Sequence, residues 1–240
     1  MNYFFITGTS RGIGKALSEI LLKKEDVKIT GISRNCTIFH DNYEHIKLNL
    51  SNPEETKSFT FPTLEDAEEI VLINNAGVIS EIKRIGQQKN ENIINDYNVN
   101  IVSPSILSNN FIKTYQYYKN KRTILNISSG AGRHTVDAWS VYCASKTALD
   151  MFSENINIEQ SFFPKENRIK IFSVAPGVIE TAMQEQIRNT SEKDFSDVKK
   201  FVNLKNEGML SSPNETAEKL LTVIENRDNL SDIISDIRNL

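Results

Sequence analysis

Tyr142 and Lys146 lie four residues apart in VYCASKTALD, residues 141–150. On a helix that spacing puts a phenol and an ammonium on one face, one turn apart. A cation beside a phenol stabilises the phenolate and eases proton exchange. A free phenol titrates near 10, and bringing it toward neutrality asks roughly 3–4 kcal/mol of its surroundings. The pair therefore suits general acid–base work, provided the chain brings a reactant to it. Chance also produces such pairs, so the other residues must decide. Cys143 follows Tyr142, but no histidine is near it in sequence, and it reads as a small packing residue.

A second group of residues suits phosphate. TGTSRGIG spans residues 7–14. Gly8, Gly12 and Gly14 leave room for backbone N–H groups to approach a pyrophosphate, and the helix that follows favours its charge. Ser10, Arg11 and Ile13 complete that loop. After the next apolar run come Ser33 and Arg34. A dinucleotide fold selective for NAD places an acid there. An arginine suits a 2′-phosphate instead, and Arg11 could flank the same group. At about 1.5–3 kcal/mol for each charged hydrogen bond, two arginines favour NADP(H) over NAD(H).

These residues need elements to hold them. Short apolar runs at 2–7, 27–33, 45–50, 69–74, 123–128, 168–174 and 232–237 read as strands. Helical spacing starts at Ile13 and recurs near 53–68, 90–118, 140–160 and 213–226. Alternating strands and helices predict an α/β fold: a doubly wound, mostly parallel sheet of about seven strands with helices on both faces. One domain over 1–240 is expected. The polar zone 182–212, with Met183, Ile187, Phe195, Phe201 and Leu210 scattered through it, reads either as surface helices or as a substrate lid. In such sheets ligands bind beyond the carboxyl ends of the strands. Small or polar residues follow each middle strand: Asn49 and Leu50, placed for adenine; NNAG at 74–77; SSGAG at 128–132; and APGVIET at 175–181, where Pro176 and Gly177 break the strand.

The chain has 240 residues, 39% hydrophobic and 25% charged, with a net charge of −3, so neither nucleic acid nor an anionic membrane is expected as partner. Two cysteines, Cys36 and Cys143, make no disulfide framework and suit a reducing compartment. The opening MNYFFITGTS has no basic n-region, and no run is long enough to span a membrane. A cytoplasmic location is expected. His40, His45 and His134 have no metal-ligand spacing; His40 and His45 read as surface, His134 as near a pocket mouth.

TGTSRGIG, NNAG, the Asn100 of NVN, the serine of NISSG, YCASK and APG occur in this order, and together they resemble the short-chain dehydrogenase/reductase superfamily. The resemblance covers nearly the whole chain. It implies Tyr142 as catalytic acid/base and Lys146 as the group that lowers its pKa and holds the nicotinamide ribose. It implies Ser129, thirteen residues before Tyr142, as the hydrogen-bond donor to the substrate carbonyl, with Ser128 as the alternative. Asn100 would support a water beside Lys146. Asn75, Ala76 and Gly77 would line the adenine ribose, and Val178 and Thr181 would hold the carboxamide. Many relatives have aspartate where Asn49 stands, which implies altered adenine affinity. The short segment between the second and third strands implies that the usual helix there is missing.

NISSGAG, the W..YC.SK pattern, APGVIETAMQEQIR and LKNEGMLSSP resemble more closely the bacterial benzil reductases, which are similar to sepiapterin reductases. That resemblance implies NADPH-dependent reduction of a ketone or α-dicarbonyl. Ser129, Tyr142 and Met183 are expected beside the substrate, and Trp139, three residues before Tyr142, reads either as an aromatic wall of the substrate site or as a core tryptophan. Sepiapterin reductases anchor the pterin with a C-terminal aspartate; Asp232 and Asp236 fall in that region, with neither assigned. A 3-oxoacyl thioester reductase and a non-catalytic NADP-sensing protein are the alternatives. The superfamily also implies a homodimer through helices near 103–118 and 140–160, with Tyr115, Tyr117 and Tyr118 adding aromatic area.

Overall fold

Apolar runs too short for helices pair here as strands. The computed structural model describes residues 1–239. Its strands are β1 (Asn2–Thr7), β2 (Val27–Ser33), β3 (Tyr43–Lys47), β4 (Glu69–Asn74), β5 (Lys121–Ile127), β6 (Lys170–Ala175) and β7 (Ile234–Asp236). They form one seven-stranded sheet in the order β3-β2-β1-β4-β5-β6-β7, and every pair is parallel. Side chains alternate between its faces. Phe4, Ile6, Val71, Ile73 and Leu125 point to one core, shared with α1 (Gly12–Leu21) and α8 (Pro213–Glu225). Phe5, Ile32, Ile70, Leu72 and Ile124 point to the other, shared with α4 (Ser103–Tyr115) and α5 (Ser140–Ser161). The strand order reverses between β1 and β4, which opens a crevice at their carboxyl ends.

The sequence places the seven strands correctly, with ends displaced by a few residues. It overextends two helices. The 53–68 region holds only α2 (Pro53–Ser58). Phe59 and Phe61 then leave the helix and enter the core, where Phe61 meets Phe5 and Phe111 edge to face. Pro62 biases Phe61 toward extended backbone, so the helix cannot continue. The 90–118 region is α3 (Asn90–Tyr97), a π-helical turn over Asn98–Val102, and then α4. No helix lies between β2 and β3, as expected. The 182–212 zone contains α6 (Ala182–Arg188) and α7 (Val198–Asn206).

One expectation about the surface is wrong. Tyr115 is fully buried: its ring packs against Phe111 and Phe61, and its hydroxyl donates to the Pro62 carbonyl at 2.8 Å. Tyr118 is half-buried and accepts from the Leu64 N–H, which leaves Tyr117 as the exposed member of the three. Among the described residues no helix is long and apolar enough to cross a membrane.

Candidate active site

β1 delivers the chain into the glycine loop, and the loop delivers it into α1. Gly12 has φ +59°, in the left-handed region that a side chain rarely tolerates. Gly14 is needed for a different reason: a Cβ there would lie 2.5 Å from the Gly8 carbonyl oxygen and would collide with Asn75 Nδ2. The Thr7 hydroxyl accepts from Asn75 N at 2.9 Å and Ala76 N at 3.0 Å, while Asn75 Nδ2 donates to the Thr7 carbonyl at 2.8 Å. The glycine loop and the NNAG turn are thus one hydrogen-bonded unit across the β1–β4 junction. Arg11, Gly12 and Ile13 bring the positive end of α1 to the cavity wall.

At the end of β2, the Ser33 hydroxyl donates to the Asn35 carbonyl at 2.8 Å. Arg34 and Arg11 are exposed, and both line the cavity. His45 is not simply a surface residue: it lies half-buried on β3, with Nε2 3.1 Å from Ser33 Oγ. Strand pairing brings the two together, because Ser33 is in register with Lys47. Asn49 Oδ1 accepts from both N and Oγ of Ser51, at 3.2 and 2.9 Å. A backbone N–H only donates, so this contact fixes the amide and turns Nδ2 to the remaining side.

α5 carries Tyr142 and Lys146, which are only 8% and 3% exposed. Burial pushes the Tyr142 phenol up to about 12, and a hydrogen bond with Ser129 pulls it partly back. Burial also pushes Lys146 down to about 8, with Asp150 opposing. Lys146 Nζ donates to the Ile127 carbonyl at 2.8 Å and lies 5.9 Å from the Tyr142 ring centroid. Among the protein's own groups desolvation comes first, and the phenol rises. Desolvation dominates both side chains and weakens the lysine's own hold on its charge. Of the two serines, Ser129 lines the cavity with a placed hydroxyl, which accepts from Ala131 N at 3.1 Å. Ser128 Oγ is buried without a partner.

Asn100 sits within the π-helical turn and is fully buried. It does not reach Lys146 directly. A Cβ at Gly77 would lie 3.5 Å from Lys146 Nζ and 3.7 Å from Asn100 Oδ1, so Gly77 keeps that space clear between them.

The loops after the strands enclose a cavity of about 1030 Å³. It is lined by every cofactor and substrate residue expected from the sequence except Gly14, which supports the loop from beneath; Asn100 also stands behind the wall. Pro176, Gly177, Val178 and Thr181 form the wall after β6, and Met183 adds α6. His134 lies at the edge, as expected. Trp139 lines the cavity, yet its ring is largely covered, stacked on Phe195 at 5.5 Å and edge-on to Tyr142 at 5.7 Å. Sequence reasoning missed Glu180, Gln184 and Arg238, which also line it, as does Phe201 of the expected lid zone. Glu180 pairs with Arg188 and Lys205, and so ties the turn after β6 to both α6 and α7. Asp236 is paired with Arg238, which donates to it through Nε and Nη2 at 2.8 and 2.7 Å. The Glu180–Lys205 pair joins residues 25 apart in sequence and so leaves no local signal. Among the described residues no cluster of His, Cys, Asp and Glu could hold a metal.

The family model for short chain dehydrogenase matches residues 2–192. The chain is 36% identical over 232 residues to benzil reductase ((S)-benzoin forming) of Bacillus subtilis (strain 168), covering 94% of each chain. It is 35% identical to benzil reductase ((S)-benzoin forming) of Bacillus cereus, covering 95% of this chain and 96% of the relative. The solved structure of the KRED1-Pglu enzyme superimposes with a TM-score of 0.79 at 25% identity, covering 93% of this chain and 94% of the other. A glycine loop opening α1, a buried Tyr142–Lys146 turn on α5 and a family match over most of the length agree: the chain belongs to the short-chain dehydrogenase family and is an oxidoreductase of carbonyl and alcohol groups.

Proposed function

We propose that the protein is an NADPH-dependent carbonyl reductase that reduces a ketone or α-dicarbonyl. The observation that carries this reading is the buried Tyr142–Lys146 turn of α5, which shares with Ser129 the wall of the cavity that the glycine loop also lines. Its size is at the upper end of ligand pockets, which run to roughly 1,000 Å³. The relatives' names, benzil reductase, point to the same substrate class.

The residues present fit a dinucleotide. Gly8 and Gly12 line the cavity with positive φ, Gly14 lets that loop pack close against Asn75, and the amino end of α1 borders the same space. Gly8, Ser10, Gly12 and Ile13 would hold the pyrophosphate, and Asn75 to Gly77 the adenine ribose. Leu50 and Asn49 would hold the adenine, with Asn49 presenting its Nδ2 as a donor. Ser33, Arg34 and Arg11 would take the 2′-phosphate. Lys146 would hold the other ribose, and Val178 and Thr181 the carboxamide. When bound, the nicotinamide supplies the hydride.

The protein's own groups do the proton chemistry. Accepting from Ala131 N directs the Ser129 hydroxyl hydrogen outward, toward a substrate oxygen. A phenol pushed up to about 12 is protonated at neutral pH and so stands ready as the acid. After donation the phenolate needs the ammonium of Lys146, one turn away.

The whole chain acts as one dinucleotide-binding and catalytic unit, in which 182–212 serves as the lid through Met183, Ile187 and Phe201. A homodimer would use the exposed apolar face of α5, where Met151 and Ile158 are exposed, and Phe162 just beyond it. Sedimentation showing only monomer at micromolar concentration would refute the dimer. The free cysteines Cys36 and Cys143 suit the reducing cytoplasm.

The deciding assay follows NADPH and NADH oxidation against benzil, 1-phenyl-1,2-propanedione, sepiapterin and an acetoacetyl thioester, with Tyr142→Phe as control. NADPH-dependent turnover of the diketones, lost in the control, is expected. Preference for the thioester would assign fatty-acid chemistry instead. Tight NADPH binding without any turnover would favour a sensor.

A further inference from the structure

Trp139 is the only tryptophan of the chain and stands immediately before α5. Its carbonyl accepts from Cys143 N at 2.8 Å, in the first turn of the helix that carries Tyr142. Its ring stacks on Phe195 at 5.5 Å and 19°, leans on Phe201 at 5.5 Å, and meets the Tyr142 ring edge-on at 5.7 Å. Phe195 lies in the polar connection SEKDFSD between α6 and α7, yet it is fully buried.

A polar clamp surrounds this stack. Arg84 donates to both carboxylate oxygens of Asp137, at 3.0 and 2.9 Å, and to the Lys193 carbonyl at 3.0 Å. Ser196 N donates to Asp137 Oδ2 at 3.1 Å. The chain is thus held on both sides of Phe195. Between Asp137 and Trp139, Ala138 has φ +59°, a left-handed conformation costly for a residue with a side chain. Such strain persists only where the surroundings over-determine it, and here the clamp pins one side and the stack the other.

We propose that Phe195 is a positioning residue for Tyr142 that acts through Trp139, so that seating of the 193–196 stretch on Asp137–Trp139 sets the phenol against Ser129. This rests on the carbonyl-reductase reading of Tyr142. If 193–196 lifts, Trp139 loses the face that holds it, Ala138 is free to relax, and the Tyr142 ring loses its edge contact. Misplacement of a reacting group by about 1 Å can cost on the order of a hundredfold in rate.

The test compares Phe195→Leu, Arg84→Gln and Ala138→Gly with the wild type, reading kcat and KM for the diketone, NADPH Kd, thermal midpoint and the emission of Trp139. Phe195→Leu keeps the site apolar but removes the flat face. It is expected to lower kcat about ten- to a hundredfold, leave NADPH Kd within about twofold and shift the emission to longer wavelength. Arg84→Gln, at an exposed position, should move the same readouts by less, and its effect should be less than multiplicative with that of Phe195→Leu. Ala138→Gly should raise the thermal midpoint yet lower kcat, a combination that a purely structural role would not produce. Full kcat in both Phe195→Leu and Ala138→Gly would overturn the proposal. So would a loss of kcat matched by an equal loss of NADPH affinity and stability. A wild type that reduces no carbonyl would overturn the reductase reading and this proposal together, whereas wild-type turnover with undiminished variants overturns only the coupling.

Discussion

Val78 and Asn100 close a ring of two hydrogen bonds: Val78 N donates to Asn100 Oδ1 at 2.9 Å, and Asn100 Nδ2 donates to the Val78 carbonyl at 2.9 Å. The same Nδ2 reaches Ser145 Oγ on α5 at 3.2 Å. One amide therefore ties the chain after β4 to the helix that carries Tyr142 and Lys146. The π-helical turn makes this possible, because its extra residue rotates Asn100 out of the ordinary helical register.

Asn100→Ala should leave the half-buried Val78 N–H and carbonyl without their partner. The expected loss is about 2–3 kcal/mol, or roughly 4–12 °C in thermal midpoint for a chain of this size. Asn100→Asp should fare no better, since it sets a carboxylate against the Val78 carbonyl. A melt of Asn100→Ala indistinguishable from wild type would refute a structural role for the ring.

Lys146 should make stability depend on pH. Its ordinary value of 10.5 falls to about 8 in the folded state, so between those limits the unfolded chain binds the extra proton and stability rises with pH. The burial cost present at neutral pH is about 3 kcal/mol. Tyr142 acts above that window. Its value rises from 10.0 to about 12, so its contribution is complete below 10 and is lost as pH climbs through 12. Lys146→Met should be inactive, more stable than wild type at pH 7, and without the rise between 8 and 10.5. Urea unfolding across pH would show this, and a less stable Lys146→Met would contradict it.

Gly14→Ala should weaken dinucleotide binding more than it weakens the fold. The new methyl would press on the Gly8 carbonyl and on Asn75, so the loop must open. Overpacking of this kind costs about 1–3 kcal/mol. If that cost falls on binding, NADPH titration should show a Kd roughly five- to 150-fold higher. An unchanged Kd would mean that the glycine loop does not hold the cofactor.

Arg34→Ala and Arg11→Ala should each raise the NADPH Kd while leaving NADH binding nearly unchanged. At about 1.5–3 kcal/mol for a charged hydrogen bond, each change is roughly ten- to a hundredfold. Both side chains are exposed on the cavity rim, so the fold should not suffer. Equal loss for the two cofactors would remove the 2′-phosphate from their role.

Much was legible before any coordinates. Alternation in β1 places Phe4 and Ile6 on one face and Phe5 on the other, because a strand turns its side chains over at every residue. The four-residue spacing of Tyr142 and Lys146 places them on one turn for a similarly local reason. The glycines of TGTSRGIG announce a backbone that must pass close to something. Near-neighbour geometry follows from the chain itself.

What needs the tertiary structure is everything that depends on who covers whom. Spacing sets Lys146 one turn from Tyr142, but how far each is desolvated depends on the distant segments that bury them, and burial drives both toward their neutral forms. Tyr115 reads as surface until the Phe59–Phe61 stretch folds over it. His45 meets Ser33 only through the register of β2 and β3. Trp139 faces Phe195 only because Arg84 and Asp137 dock 193–196 upon it. Hydrogen-bonding period and steric permission are carried by the chain locally. Desolvation, stacking and ion pairing are set by residues tens of positions apart, and they exist only once the fold has brought them together.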